Sequence, residues 1–334
     1  MKKLLSFLFI ASSLLLHAED DKPLRICATT PDLADLAQSI GGKEVSVMSF
    51  VKGPQNPHFI QAKPSFTVEL RKADLLIQNG LELEIGWLPV LQENCRNASV
   101  QTGKPGCLDA SSLIEVKQDG KAGITRQGHV HGIGNPHYLL DPVNGLRVAE
   151  GIRKRLGELR PTQKAVFDAN FKTWRHEILV AMIGEKLGAA RGDEALALIL
   201  LANRDAELRQ DPAIGGWIGT FAKAEGSALL VDHNDYLYLT ERFGLKIVDS
   251  LESEPGVPPS TGHLQKLIEA YQGGKAKALL VGPYFPEKIT RLVTEKAGIP
   301  AVSMCHQCGG RPGCDSYLGS LKHNLESLAK VLAK

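Results

Sequence analysis

The segment that decides the fold lies in the middle of the chain and reads, over residues 161–188, PTQKAVFDANFKTWRHEILVAMIGEKLG. Its apolar residues recur at helical spacing, in the two series Phe167, Phe171, Trp174, Ile178, Met182 and Leu179, Ile183, Leu187. Pro161 suits the first turn of a helix and Gly188 suits its exit. At 1.5 Å per residue this helix would be roughly 40 Å long. The segment therefore predicts one long, rigid connector between two lobes, with an ordinary packed helix inside one domain as the alternative.

On both sides of this segment, short apolar runs alternate with helical patterns, which is typical of α/β lobes with mainly parallel sheets flanked by helices. The strands predicted before it cover residues 24–28, 45–50, 75–78 and 114–116. The strands predicted after it cover residues 196–201, 228–231, 246–248, 278–281 and 301–304. The predicted organisation is a signal peptide at 1–18, an N-terminal lobe at 19–160, the connector at 161–188 and a C-terminal lobe at 189–334.

The first residues have the pattern of an export signal. Lys2 and Lys3 precede an apolar run over residues 4–16, and Ala18 is a small residue at the predicted cut. The run is too short to cross a bilayer. No cysteine lies at the predicted cut, so a lipid anchor is not indicated, and we expect a soluble protein of the periplasm.

The charge balance does not imply a polyanionic partner. The chain has 39 Lys+Arg and 37 Asp+Glu, and cleavage of the signal removes two lysines, so the mature protein is formally neutral. We therefore expect no nucleic-acid partner. The roughly 316 residues that remain are too many for one small core, which agrees with two lobes. We expect a monomer.

All six cysteines lie beyond the signal, at positions 27, 95, 107, 305, 308 and 314. In an oxidising compartment disulfides are expected, although six cysteines allow 15 full pairings. The preferred pairs are Cys95 with Cys107 and Cys308 with Cys314, since each pair flanks a glycine-containing loop. Cys27 lies in an apolar strand and is predicted to be a buried thiol.

The tripeptide Asn-Pro-His occurs twice, as Asn56-Pro57-His58 and as Asn135-Pro136-His137. Proline stiffens the backbone beside each histidine. A stiffened imidazole suits a metal ligand, because neutral histidine is the commonest protein ligand of zinc and its neighbours. A single copy would be more typical of a turn with a solvated histidine. Two copies indicate a shared site.

Two more histidines follow predicted strands of the second half. His233 comes two residues after Val231, and His306 comes two residues after Met304. Parallel sheets place ligands beyond the carboxyl ends of their strands. The sequence therefore predicts one metal site in the cleft between the lobes, with His58 and His137 on one side and His233 and His306 on the other.

Several longer motifs carry a family resemblance. They are Asn56-Pro57-His58 with Lys63-Pro64-Ser65, the run from Asn135 to Pro142 (NPHYLLDP), Asp232-His233-Asn234 with Tyr238 and Arg242-Phe243-Gly244-Leu245, and Glu254-Pro255 with Pro259-Ser260 and Leu264. Through them nearly all of the mature chain resembles the metal-specific solute-binding proteins of ABC transporters, in their zinc and manganese branch.

The resemblance implies two α/β lobes joined by a rigid helix, one buried divalent ion, and delivery of that ion to a membrane permease. It also implies that His58, His137 and His233 are the first three ligands. In the family a histidine in the third place usually accompanies zinc and a carboxylate accompanies manganese. An imidazole-rich site also suits zinc better than a hard cation. The predicted cargo is Zn²⁺, ahead of Mn²⁺ or another divalent transition metal.

The chain departs from the family at the fourth ligand. The family's last strand normally ends in a carboxylate, whereas this chain reads Ser303-Met304-Cys305-His306-Gln307-Cys308. Cys305 occupies the aspartate position and His306 follows it; either could bind, or a water could take the place. We favour His306, because Cys305 would have to remain an unpaired thiolate outside the cytosol.

Other interpretations stay open at the level of sequence. His129 and His131 resemble a reduced form of the histidine-rich loop of zinc-binding members, or form a solvated loop. A zinc hydrolase is an alternative function, but no His-Glu-x-x-His helix supplies a general base, so an enzyme is not predicted. A zinc metallochaperone shares the same site chemistry. A thiol-disulfide protein using Cys305 and Cys308 is a weaker alternative.

Overall fold

The computed structural model of the protein describes residues 22–118, 133–252 and 257–333. Within these ranges the strands are β1 (Leu24–Ala28), β2 (Val45–Ser49), β3 (Leu75–Gln78), β4 (Cys107–Asp109), β5 (Ala228–Val231), β6 (Lys246–Ser250), β7 (Ala278–Val281) and β8 (Ala301–Ser303). They form two four-stranded sheets with the orders β2-β1-β3-β4 and β6-β5-β7-β8. Every pairing is parallel. The two lobes therefore share one topology.

Helices cover both faces of each sheet. They are α1 (Pro31–Gly41), α2 (Pro64–Lys72), α3 (Leu88–Cys95), α4 (Pro142–Leu159), α5 (Lys164–Ile183), α6 (Glu185–Arg191), α7 (Asp193–Leu201), α8 (Asp205–Arg209), α9 (Gly216–Ala222), α10 (Leu237–Arg242), α11 (Thr261–Tyr271), α12 (Glu287–Ala297) and α13 (Tyr317–Leu332). Because helices lie on both faces, the central strands are apolar on both sides. In β1, Leu24 and Ile26 face one core and Cys27 faces another.

One hydrophobic core is continuous across the two lobes. It contains Leu24 and Ile26 from the first sheet, Leu229 and Val231 from the second sheet, and the buried face of α5 between them. Helix α5 packs against α1 and α4 on the side of the first lobe and against α9 on the side of the second. The predicted fold class, two parallel-sheet lobes joined by a long helix, is confirmed. The domain boundaries at 19, 161 and 189 stay predictions.

The long helix is shorter at both ends than residues 161–188. Its first residues form a 3-10 turn, Pro161–Gln163, and α5 ends at Ile183. The stop is Gly184, whose φ of 81° is left-handed and whose Cα approaches Gly215 so closely that an added Cβ would lie 3.1 Å from the Gly215 Cα. Residues 185–188 belong to α6, a separate helix.

Two strand predictions are wrong. Residues 196–201 lie in the helix α7, where Leu196 and Leu200 are buried and Leu198 is 63% exposed. That spacing is helical, but a short run of leucine, alanine and isoleucine without polar breaks reads equally well as a buried strand. Residues 114–116 form no strand; the fourth strand of the first sheet is β4, which pairs with β3 through Cys107 and Leu76.

Neither predicted disulfide is present. All six cysteines are free and buried. The Cys95 thiol donates to the Gln92 carbonyl oxygen at 3.1 Å. As predicted, Cys27 is a buried thiol, and burial, with smaller contributions from Glu69 and Cys95, raises its pKa to about 12.

Some predictions fall outside the described residues: the signal peptide at 1–18, the loop histidines His129 and His131, and the motif Glu254-Pro255. Among the helices in the described ranges, none has both the length and the apolar character that a membrane span requires.

Candidate metal centre

The first Asn-Pro-His tripeptide forms a turn that fixes His58. The side-chain oxygen of Asn56 accepts a hydrogen bond from the backbone N–H of His58 at 3.0 Å, which is the Asx-turn geometry that asparagine favours. The indole Nε1 of Trp87 donates to the carbonyl oxygen of Pro57 at 3.0 Å. Because Trp87 is 1% exposed, this turn is attached to the core of the first lobe.

The second tripeptide repeats the arrangement around His137. Asn135 accepts from the backbone N–H of His137 at 2.9 Å. The side-chain amide of Asn79, which directly follows β3, donates to the carbonyl oxygen of Pro136 at 3.0 Å. Both tripeptides are therefore Asx turns whose proline carbonyl is held by a buried side chain of the first lobe.

His233 comes from the second lobe, two residues after β5. Its Nδ1 lies 2.9 Å from Glu252 Oε2, and this contact leaves Nε2 directed towards the other histidines. Burial alone would lower the pKa of His233, but Asp235 and Glu252 outweigh it and raise the pKa to about 9. In the metal-free protein the imidazole is thus held as a cation by neighbouring carboxylates.

The three histidines converge between the lobes. One ligand atom from each of His58, His137 and His233 lies within 4.8 Å of the other two. The ring centroids are 5.3 Å apart for His58 and His137, 5.8 Å for His137 and His233, and 6.5 Å for His58 and His233. Three imidazoles at this separation can bind one divalent transition-metal ion after a small inward movement.

The structure does not bring His306 into this group. In the described part of the chain, the group whose ligand atoms all lie within 4.8 Å of one another contains the other three histidines alone, and it leaves out Asp235 as well as His306. The His306 ring instead packs edge-on against Tyr284, with centroids 4.7 Å apart, and burial lowers its pKa to about 4. The Cys305 thiol donates to the Gln307 carbonyl oxygen at 3.0 Å.

A carboxylate that the sequence reasoning missed lies at the cluster. Oδ1 of Asp235 is 3.0 Å from His137 Nε2 and 3.5 Å from His233 Nε2. Oδ2 accepts from the Tyr284 hydroxyl at 3.2 Å. The available signal was a carboxylate two residues after His233, but the resemblance to the family points to the end of the last strand for an acidic ligand.

Hydrogen bonds join the lobes on both sides of the cluster. On one side Tyr238 donates from its hydroxyl to the Asn135 carbonyl and accepts from the Lys117 N–H, both at 2.9 Å. On the other side the Gln307 amide donates to the carbonyl oxygens of Gly53 at 2.9 Å and Gln55 at 2.8 Å. The residues that carry the histidines are thus cross-linked between the lobes.

A buried ion pair adds a further link. Arg242 Nη2 lies 2.9 Å from Asp141 Oδ2, and Nη1 lies 2.9 Å from Asp205 Oδ1. Asp141 also caps α4 by accepting from the Val143 N–H. The arginine therefore connects the end of α10 to the start of α4.

Comparison with known proteins agrees with this geometry. Residues 26–197 and 200–331 match the profile of the family described as zinc-uptake complex component A, periplasmic (ZnuA). The chain belongs to this family, whose members are substrate-binding proteins of ABC transporters and not enzymes. The resemblance read from the sequence is confirmed, and so is the prediction that the chain is not an enzyme.

Two curated relatives carry other metals in their names. The manganese ABC transporter substrate-binding lipoprotein PsaA of Streptococcus pneumoniae is 24% identical, with both chains covered completely. The iron ABC transporter substrate-binding lipoprotein MtsA of Streptococcus pyogenes is 25% identical, covering 95% of this chain and 91% of its own.

Among solved structures, a crystal structure of ZnuA superposes with a TM-score of 0.67 at 20% identity, over 93% of this chain and 99% of that one. These findings establish a metal-binding substrate-binding protein and leave the metal to be determined.

Proposed function

We propose that this protein captures a divalent transition-metal ion between its two lobes and delivers it to the membrane permease of an ABC transporter. The metal that we propose is zinc, ahead of manganese or another divalent transition metal. The observation that carries this proposal is the convergence of His58, His137 and His233 to within 4.8 Å. Two of them are fixed by Asx turns of the first lobe. The third is oriented from the second lobe by Glu252.

Zinc is proposed because the donors in the cluster are imidazole nitrogens. Such donors bind zinc, copper and nickel better than they bind manganese, which favours oxygen. The names of the relatives point to manganese and iron, so the preference must come from this chain's own ligands. Competitive titration of the metal-free protein with zinc and manganese tests it, and tighter binding of manganese would contradict it.

The test of the site is substitution of the three histidines. Single changes of His58, His137 or His233 to Ala should each reduce zinc affinity severely while the metal-free protein remains folded. The exposed His176 is a matched control, and its change to Ala should have no effect. Zinc binding that survives all three substitutions would contradict the proposed function.

The partner and the location follow from the transport role. We propose that the protein acts outside the cytoplasmic membrane as a monomer and has no nucleic-acid partner. Its curated relatives are named lipoproteins, whereas the sequence predicts a free periplasmic protein. Mass spectrometry of the mature protein distinguishes a lipidated form from a cleaved one.

A growth test separates a role in uptake from a metallochaperone role. The gene should rescue growth in limiting zinc, and the His233→Ala variant should fail to rescue it.

A further inference from the structure

We propose that Asp235, and not His306 or Cys305, supplies the fourth ligand of the metal, so that the ion is held by three imidazole nitrogens and one carboxylate oxygen. This inference rests on the proposed function, because it concerns the same site. It assigns a ligand at a position other than the end of the last strand, where the sequence reasoning looked for it.

The first support is distance. Ligand atoms around a tetrahedral zinc ion at 2.0 to 2.1 Å are separated from one another by about 3.3 Å. Oδ1 of Asp235 lies 3.0 Å from His137 Nε2 and 3.5 Å from His233 Nε2, which are close to the edges of such a tetrahedron. The oxygen thus already stands in the place of a ligand relative to two of the three histidines.

The second support is the state of that oxygen. The Asp235 side chain is 1% exposed. Among the residues that the structure describes, no donor makes a well-aligned hydrogen bond to Oδ1. The other oxygen, Oδ2, accepts from the Tyr284 hydroxyl. The carboxylate is therefore held at one oxygen while the other is directed into the histidine cluster, where a bound metal ion would compensate its buried charge.

The third support is charge. Three neutral imidazoles leave the full double charge of the ion uncompensated in a buried site, which is unfavourable. Cys305 is not placed to compensate this charge, because its thiol is engaged with the Gln307 carbonyl. Two other carboxylates nearby are occupied: Asp232 accepts from the N–H groups of His233 and Gly282, and Glu252 lies on Nδ1 of His233. Asp235 is placed to neutralise the ion.

His306 is the residue that this assignment displaces. Both of its ring nitrogens are buried without a hydrogen-bond partner among the described residues, but its ring is packed on Tyr284 and it is not in the group of histidines that lie within 4.8 Å of one another. Tyr284 therefore contacts both residues, holding Asp235 by its hydroxyl and His306 by its ring. His306 forms part of the wall of the site in this assignment.

The experiment compares Asp235→Asn, His306→Gln and Glu252→Gln with the wild-type chain by calorimetric titration with zinc. Thermal unfolding of each metal-free protein controls for folding. Outer contacts of a metal site typically cost 10- to 100-fold in affinity when removed. We expect Asp235→Asn to lose more than about 100-fold in zinc affinity, Glu252→Gln to lose less, and His306→Gln, which changes only the wall of the site, to lose less than about 10-fold. The assignment would be overturned if Asp235→Asn lost less than about 10-fold in zinc affinity, or if His306→Gln lost more affinity than Asp235→Asn.

X-ray absorption on the zinc-loaded wild-type protein decides the matter if Asp235→Asn does not fold or if both variants bind weakly. A shell of three imidazoles and one oxygen ligand supports the assignment. If Asp235→Asn folds, its zinc shell should show that oxygen replaced or lost. Four imidazoles, or a sulfur ligand, overturn it. The Asp235 assignment can fail without the proposed function failing. The proposed function stands if zinc affinity falls strongly in His58→Ala, His137→Ala and His233→Ala, whichever residue supplies the fourth ligand.

Discussion

Trp87 donates a hydrogen bond from its indole nitrogen to the carbonyl oxygen of Pro57 at 3.0 Å. Through this one contact the core of the first lobe determines where His58 lies, because the next residue in the chain is the histidine. Asn79 does the same for His137 through the carbonyl oxygen of Pro136. The site is thus built on two short turns, each held at its proline by a buried side chain that is not itself one of the proposed ligands.

Replacing Trp87 by Phe should weaken metal binding without abolishing it. The smaller ring keeps most of the apolar contact but removes the donor to Pro57, so His58 gains freedom. We expect zinc affinity to fall about 10-fold, the low end for an outer contact, with one ion still bound. Trp217→Phe in the buried face of α9 is the control for loss of an indole, and an equal loss of affinity there would refute the role of the Trp87 contact.

Removing the arginine of the buried ion pair should destabilise the protein. Arg242→Met leaves the carboxylates of Asp141 and Asp205 without their shared cation in a largely buried site. Breaking a buried pair in this way costs about 3 to 5 kcal/mol, measured as the free energy of unfolding of the metal-free protein in denaturant. Arg204→Met, whose ion pair with Glu207 is exposed, should leave the unfolding midpoint almost unchanged.

Metal binding should release protons at neutral pH. The pKa of His233 is raised to about 9 in the metal-free protein, so this imidazole is protonated at pH 7 and must lose its proton to bind the ion. Calorimetry in buffers of different ionisation enthalpy should show release of about one proton per ion at pH 7. Release of none would contradict the account.

The raised pKa of His233 has opposite effects on the pH dependence of zinc affinity and on that of the stability of the metal-free protein. Zinc affinity should rise with pH until about pH 9, because the competing proton is lost. The stability that the charged His233 contributes to the metal-free protein is complete below its ordinary pKa of 6.5 and is lost as the pH rises through about 9. Denaturant unfolding without metal should therefore show a decline over that window, which His233→Gln should abolish.

Zinc should not cause a large closure of the two lobes. One core runs through both lobes, and hydrogen bonds from Tyr238 and Gln307 join them on the two sides of the cluster. Solution scattering with and without zinc should therefore give nearly the same radius of gyration. A marked compaction on addition of zinc would show that these contacts form only in the loaded protein.

The sequence was sufficient for the features that rest on local patterns. Strands such as β5 and β7 match the predicted apolar runs at both ends, since a buried parallel strand needs an unbroken apolar segment. The prediction failed at residues 196–201, where leucine, alanine and isoleucine without polar breaks carry no period that separates a strand from a helix. It also placed the end of α5 too late, because Gly184 is a break that depends on its close approach to Gly215.

At the site, the three histidines were predicted from their motifs and the structure brings them together. The proposed fourth ligand could not be found in that way. Asp235 becomes a neighbour of His137 only through the turn Asn234–Tyr236 that follows His233. Similarly, the pairing of Arg242 with Asp141 joins residues about a hundred positions apart. Contacts of this kind depend on the packing of the lobes and leave no local pattern.

The central claim is that one divalent ion is held by histidines from both lobes. X-ray absorption of the protein loaded with one equivalent of zinc tests it most directly. The account predicts a four-coordinate shell of three imidazole nitrogens and one oxygen, with no sulfur. A shell with fewer than three imidazoles, or with a thiolate from Cys305, would contradict it.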